Sequence, residues 1–309
     1  MFESILGIKK PIFGLDIGHV TIKLVQIKGT GTSARLWGAI EVPIPEDSLN
    51  KEGIREKQQL ASIITQAMKN AKPHPITAKI AASALPEYLV YTKLLDVPKM
   101  SQKEISKNIP YQIKEVFPIS PKDVYADWQI VGQKKDQLEV FVVAAPIVLV
   151  NSVAEVVSLA NMELMGLETK PIAITRALVD PNDMGSYLIL DIGAKTSGLT
   201  CYSAQAIRLT STLSIGCDNL KSNTKASIET LSAETLNLYK YYQNRIDRAG
   251  VFTKIILAGG GANITDIAVS IEKSTNIKTE IGQPRFPIDN FDPRFATALG
   301  LAMKEILIT

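Results

Sequence analysis

The chain has 309 residues, longer than the roughly 250–300 at which one hydrophobic core stops growing, so two lobes are the first expectation. Hydrophobic residues make up 46% and charged residues 21%, which excludes a disordered or fibrous chain. A net charge of +3, with basic and acidic residues interspersed, gives no field to attract nucleic acid, and two cysteines without CxxC spacing exclude a zinc or disulfide framework and fit a reducing cytoplasm.

The opening MFESILGIKK runs from apolar to basic, the reverse of a secretory signal, and is too short to span a bilayer. Residues 12–28, IFGLDIGHVTIKLVQIK, read as a hairpin of buried strands with Asp16 at its bend. A strand is expected over 34–42, ended by Pro43 and Pro45, where ladder donors are missing. A helix over 54–71 places Leu60, Ile63, Ile64, Ala67, Met68 and Ala71 on one stripe.

Residues 79–84 and 88–95 read as strands, and 101–117 as a helix that Pro110 should kink or divide. An antiparallel pair over 123–131 and 137–145 turns through GQKKD, and the apolar run 140–150, broken by Pro146, leads from strand to helix. That helix is placed over 151–164 and ended by Gly166. At 186–193, SYLILDIG repeats FGLDIG after roughly 175 residues, a distance that means a duplicated fold rather than a solenoid. A long helix over 225–246, the strand KIILAGGGA over 254–262 and a helix over 293–307 complete an α/β pattern.

Three stretches carry chemistry. An apolar strand turning through Asp-x-Gly lets backbone approach a ligand and can present successive N–H groups to a phosphate. The first copy offers Asp16, Gly18, His19, Val20 and Thr21; the second offers Asp191, Gly193, Ala194, Lys195 and Thr196. Each alone is an ordinary turn. Their conjunction with Gly259, Gly260 and Gly261, between a strand and a helix, gives the order phosphate loop, phosphate loop, nucleoside loop. Asp16 and Asp191 facing across a cleft could position Mg²⁺, which takes one or two carboxylates plus phosphates and waters. Lys23 and Lys195 flank the loops as possible point charges on phosphate.

His19 reads as a turn residue and His74, between two prolines, as loop; Tyr242 shares a helical stripe with Ile228 and Leu231 and reads as core. No Ser-His-Asp or Cys-His arrangement is legible.

GLDIGHVTIKLVQI resembles the first phosphate motif of the actin-like ATPase superfamily, and EYLVYTKLLDVPKM, KNIPYQIKEVFPISPKDVYADWQIV, FVVAAPIVLVNSV and ETKPIAITRAL are similar to the segments between motifs in the PilM family of type IV pilus assembly proteins. The resemblance spans about residues 12 to 305. It implies an actin-like, ribonuclease H-type, duplicated α/β fold. Residues 1–175 would form the first lobe, with a small subdomain inserted near 86–170, and residues 176–309 the second. It further implies ATP as cofactor, with weak or absent hydrolysis.

The implied partner is the cytoplasmic N-terminal peptide of a PilN-like inner-membrane protein, with the pilus motor ATPases beyond it; membrane association would be indirect and no nucleic acid is involved. Against the family pattern, the chain is shorter between Gly216 and Leu236, and His19 and Val20 stand where small hydroxyl residues are usual. A sugar- or acetate-kinase-like phosphotransferase and a filament-forming actin relative are the alternatives.

Overall fold

The computed structural model describes residues 10–29, 33–45, 48–50, 53–222, 224–245 and 251–304. The opening residues 1–9, the last residue of the expected long helix and the end of the expected C-terminal helix lie outside them.

The first half builds a mixed six-stranded sheet. Ile12–Ile17 (β1) and Thr21–Lys28 (β2) form the expected hairpin, followed by Arg35–Pro43 (β3). Two short strands, Leu49–Asn50 (β4) and Gly53–Ile54 (β5), pair with each other before the helix Lys57–Asn70 (α1). Lys72–Pro73 (β6) edges the sheet, and Ile80–Leu85 (β7) pairs in parallel with β1.

Tyr91–Pro98 (β8) then leaves this sheet, preceded by a 3₁₀ turn at Glu87–Leu89, so the strand expected from residue 88 begins three residues later. With Val124–Gln133 (β9) and Gln137–Pro146 (β10) it makes a separate three-stranded antiparallel sheet, order β8-β10-β9. The helix Gln102–Val116 (α2) covers it. Ser101 and Glu104 close a capping box at its start. Pro110 does not divide this helix: Ile105, Ile109 and Ile113 bury one continuous stripe on the sheet, and that packing outweighs one lost backbone bond.

The chain returns through Ile147–Leu159 (α3) and Glu163–Thr169 (β11), which pairs in parallel with β7. Here the expected helix over 151–164 is corrected. It starts earlier, directly after Pro146, and ends at Leu159, with Asn161 just beyond at a left-handed φ of 55°. The residues from Glu163 onward are strand instead. The helix Lys170–Leu178 (α4) then leads to the second half.

Tyr187–Ile192 (β12), Ser197–Ser203 (β13) and Ala206–Leu213 (β14) form an antiparallel run. Cys217–Ser222 (α5) and Thr224–Arg245 (α6) come after it, then Lys254–Ala258 (β15), Ile267–Thr275 (α7) and Thr279–Ile281 (β16). The last expected helix opens with a 3₁₀ turn at Pro293–Phe295, and the α-helix proper is Ala296–Ala302 (α8).

The two large sheets repeat one topology. The first runs β11-β7-β1-β2-β3-β6 and the second β14-β13-β12-β15-β16, so each has an antiparallel hairpin flanked by two parallel strands. Period-two alternation sets the faces. Phe13, Leu15 and Ile17 bury against α1 and α3, through Leu60, Ile64, Leu149 and Val156. Leu188, Leu190 and Ile192 do the same with Leu231 and Tyr242 of α6 and Ile267 and Ile271 of α7.

The opposite faces meet α4 and α8. Gly14 is required there because a Cβ would fall 1.9 Å from the Ala298 carbonyl oxygen of α8. Close helix-on-sheet approach therefore fixes both halves around the same pair of helices. Among the described residues no helix is long and apolar enough to cross a membrane.

Candidate functional site

The two Asp-x-Gly turns are geometric copies. Gly18 N donates to Thr21 O at 2.9 Å, and Gly193 N donates to Thr196 O at 2.9 Å. In each, the hairpin register sets the aspartate on the last pairs of the strand, Asp16 opposite Lys23 and Asp191 opposite Gly198. Both aspartates therefore emerge at the same end of their sheets. The third turn comes after β15, where Gly259 adopts φ +78°, and a Cβ there would lie 2.4 Å from Asp191 Oδ1. Only glycine allows that loop to pass so close to the carboxylate.

All three turns open on one cleft of about 320 Å³ between the halves. Asp16, Gly18, His19, Val20, Thr21 and Lys23 line it from the first half; Asp191, Gly193, Ala194, Thr196, Gly259 and Gly260 line it from the second. Lys195 and Gly261 do not. Gly261 instead packs under the loop, where a Cβ would meet the Ile192 side chain at 2.1 Å.

Several expected phosphate contacts already have partners. Thr21 Oγ1 donates to Glu41 Oε1 at 3.0 Å and accepts from Lys23 Nζ at 2.8 Å, and Lys23 also pairs with Glu41 at 3.2 Å. Arg294 donates to the other oxygen of Glu41 at 2.7 Å, so a chain of charges ties the first Asp-x-Gly turn to the segment before α8. These bonds hold the Glu41 carboxyl below its usual range despite the opposing cost of burial. His19 is stacked on Tyr88 with ring centroids 4.5 Å apart, which fits a positioning role in the turn.

Sequence reasoning missed several residues lining the cleft, among them Glu41, Asp218, Lys221 and Arg294, and two more that bear on the aspartates. Lys170, the first residue of α4, places Nζ 2.7 Å from Asp16 Oδ1. Burial pushes the Lys170 ammonium down, but Asp16 and Asp191 together raise it above its ordinary value. Burial likewise pushes Asp16 up, and Lys170 and Lys23 bring it net below the usual carboxylate range. Asp191 ends above that range, because desolvation and Asp16 outweigh Lys170. One cation thus serves two aspartates unequally.

The second of these two is Glu87, in the 3₁₀ turn after β7. Its Oε1 is enclosed without a hydrogen-bond partner, and its Oε2 lies where a Cβ of Gly198 would come within 2.7 Å. Burial raises its pKa to about 8, with Asp191 adding to the rise and Thr210 of β14 opposing it. The sequence signals were faint. A lysine at the N-terminus of a helix has the wrong sign for the helix dipole, and that mismatch is what could have flagged Lys170.

The arrangement suits a polyphosphate: glycine turns from both halves, a buried cation, and a third loop closing one wall. The aspartate pair does not fit a metal held directly by both carboxylates, because Asp16 already carries an ammonium. Among the described residues no three His, Cys, Asp or Glu side chains gather as a metal cage.

Comparison with solved structures shows the fold. A PilM-PilN type IV pilus biogenesis complex contains a chain that superposes with a TM-score of 0.81 at 22% identity, over 96% of this chain and 98% of that one. MreB 5 of Spiroplasma citri, bound to AMPPNP, gives a TM-score of 0.52 at 12% identity over 97% of each chain. A Bacteroides thetaiotaomicron protein with an actin-like ATPase fold gives 0.51 at 9% identity, over 95% of this chain and 96% of that one. The fold is actin-like. The model of the type IV pilus assembly protein PilM family matches residues 14–226, more than two thirds of the sequence, and the chain belongs to that family.

Proposed function

We propose that the chain is a nucleotide-binding scaffold on the cytoplasmic side of a type IV pilus assembly platform, using ATP to order its cleft rather than to drive rapid turnover. The observation that carries this reading is the convergence of two equivalent Asp-x-Gly turns and the Gly259–Gly260 loop on one cleft. Gly18, Val20, Gly193 and Ala194 would bring backbone against the phosphates, Lys170 would meet their charge, and Gly259 and Gly260 would pass along the nucleoside. Mg²⁺ accompanies ATP in solution and neutralises part of its charge; with Lys170 on Asp16, the protein's share in facing that ion falls to Asp191.

The partner proposed is the cytoplasmic N-terminal peptide of a PilN-like inner-membrane protein, and the support is family membership together with the similarity to a chain from a PilM-PilN complex. Attachment to the membrane would then be indirect, and the scaffold would connect the platform to the pilus motor ATPases. Calorimetric titration with ATP, and separately with the N-terminal tail peptide of a PilN-like protein, tests both parts. Saturable one-to-one binding is expected in each. A flat ATP titration would remove the nucleotide reading, and a flat peptide titration would remove the partner.

A further inference from the structure

Lys170 occupies a position that electrostatics alone disfavours. It begins α4, where the positive end of the helix dipole repels a cation, and its side chain is only 19% exposed. What holds it there is the carboxylate pair, with Asp16 at 2.7 Å and Asp191 contributing from the other half. The anchoring is also structural. Thr169, just before it, ends β11 in register with Leu85 of β7, so the start of α4 is fixed to the same sheet that carries Asp16.

An ammonium so placed does what a divalent cation does in a site of this kind. It screens the two aspartates from each other and presents positive charge to a ligand entering between the phosphate turns. A second cation directly on Asp16 would have to displace it or face it at close range, and the repulsion in a partly dry cleft is large. Of the other carboxylates lining the cleft, Glu41 is committed to Arg294, Lys23 and Thr21, and Asp191, Glu87 and Asp218 do not gather with it as a metal cage among the described residues.

We propose that Lys170 is the resident cation of the nucleotide site, so that the cleft takes a nucleoside polyphosphate without requiring a divalent metal. This rests on the nucleotide reading above and specifies it. ATP would bind with its phosphates against Lys170, and Mg²⁺ would be tolerated rather than needed.

The test is calorimetric titration of the full chain with ATP, once with excess Mg²⁺ and once with EDTA. The two dissociation constants should agree within about threefold, because the charge that matters belongs to the protein. Loss of more than about tenfold in EDTA overturns the inference while leaving the nucleotide reading intact. No binding in either buffer overturns both.

Two variants add an independent readout. Lys170→Met should weaken ATP binding in EDTA by at least about tenfold, whereas Lys170→Arg, which keeps the charge, should stay within a few-fold of the parent. Equal binding by all three proteins would overturn the role given to Lys170. Should the Met variant fail to fold, as judged by its thermal transition, the parent's two titrations and the Arg variant still decide. Mn²⁺ added to the parent without nucleotide should remain free by electron paramagnetic resonance; stoichiometric Mn²⁺ capture that Lys170→Arg abolishes would also overturn the proposal.

Discussion

The two halves share a topology and a turn, yet they use them differently. Opposite Asp16 the hairpin register places Lys23, and opposite Asp191 it places Gly198. The strands that run parallel beside them are also in register, Ala84 with Asp16 and Ala258 with Asp191, so Pro86, Glu87 and Tyr88 stand where the second half has Gly260, Gly261 and Ala262. At the copied turns the first half therefore places Lys23 and Glu87 where the second has glycines, and the second half's own charge, Asp218, Lys221 and Arg294, comes from α5 and the segment before α8. Gly198 also makes room for Glu87, so one half's omission accommodates the other's addition. A duplicated fold has become an asymmetric site by filling equivalent positions of its two copied turns differently.

The sharpest way to break this comparison is to neutralise each aspartate in turn. Asp16→Asn leaves the Lys170 ammonium enclosed with only Asp191 as a weaker partner, and removing one member of an enclosed pair costs about 2–4 kcal/mol. Asp191→Asn removes a carboxylate that its surroundings already disfavour ionising, so stability should change by less than about 1 kcal/mol. Denaturant unfolding at neutral pH measures both. Equal losses would mean that Lys170 serves the two aspartates alike, and the asymmetry would fall.

Close backbone approach comes next in size. Gly259→Ala forces an L residue to φ +78° and sets a methyl 2.4 Å from Asp191 Oδ1. A cost of about 2–3 kcal/mol is expected, with ATP binding lost, since the loop must move away from the carboxylate. Gly260→Ala, one residue on, meets nothing nearer than Cys217 Sγ at 4.0 Å. It should cost well under about 1 kcal/mol and act on ATP affinity alone. The pair separates a glycine needed for the fold of the loop from one that only lines the cleft.

Legibility in the sequence divides along the same line. The duplicated hairpin was legible because apolar runs ending in Asp-x-Gly recur at half the chain's length, and the glycine loop because three consecutive glycines after a buried strand have few other uses. Lys170 and Glu87 were not legible. The strand before Lys170, ELMGLET, contains a single β-branched residue, Thr169, and its first two residues read as the tail of the preceding helix, with Gly166 as the stop. With that strand missing, the lysine falls in a connection. Glu87 sits in a Pro-Glu-Tyr turn that looks solvent-facing, and only the tertiary approach of Gly198 and Thr210 encloses it. Both omissions concern residues whose role is set by partners distant in sequence, Asp16 for Lys170 and Gly198 and Thr210 for Glu87, which local periodicity cannot report.

Glu87 gives the prediction that sharpens the comparison through pH. Its folded pKa of about 8 lies above the ordinary 4.5, so the fold favours the protonated form. Below the ordinary value both folded and unfolded chains carry the proton, and the carboxyl costs nothing. As pH rises from about 4.5 to about 8, the unfolded chain releases its proton while the folded one holds it, and stability falls by about 1.4 kcal/mol per pH unit at most. Glu87→Gln cannot titrate and keeps a polar group facing Thr210. It should therefore match the parent near pH 4.5 and exceed it by about 2–4 kcal/mol near pH 9, the difference growing across that window and flat beyond it.

Lys195 provides the smallest effect and the control for the rest. It flanks the second phosphate turn in sequence, yet it does not line the cleft, whereas Lys23 does. Lys195→Ala should leave ATP affinity within about twofold and stability within about 0.5 kcal/mol, the ordinary range for a surface substitution. Lys23→Ala should weaken ATP binding more, but by less than Lys170→Met, because Lys23 is already divided between Thr21 and Glu41. An affinity order of Lys195→Ala, Lys23→Ala and Lys170→Met, from least to most affected, would locate the working cation on the helix between the halves rather than in either copied turn. The reverse order, with Lys195 dominant, would mean that the second turn contributes charge after all and that the contrast between a charged first turn and a backbone second turn is mistaken.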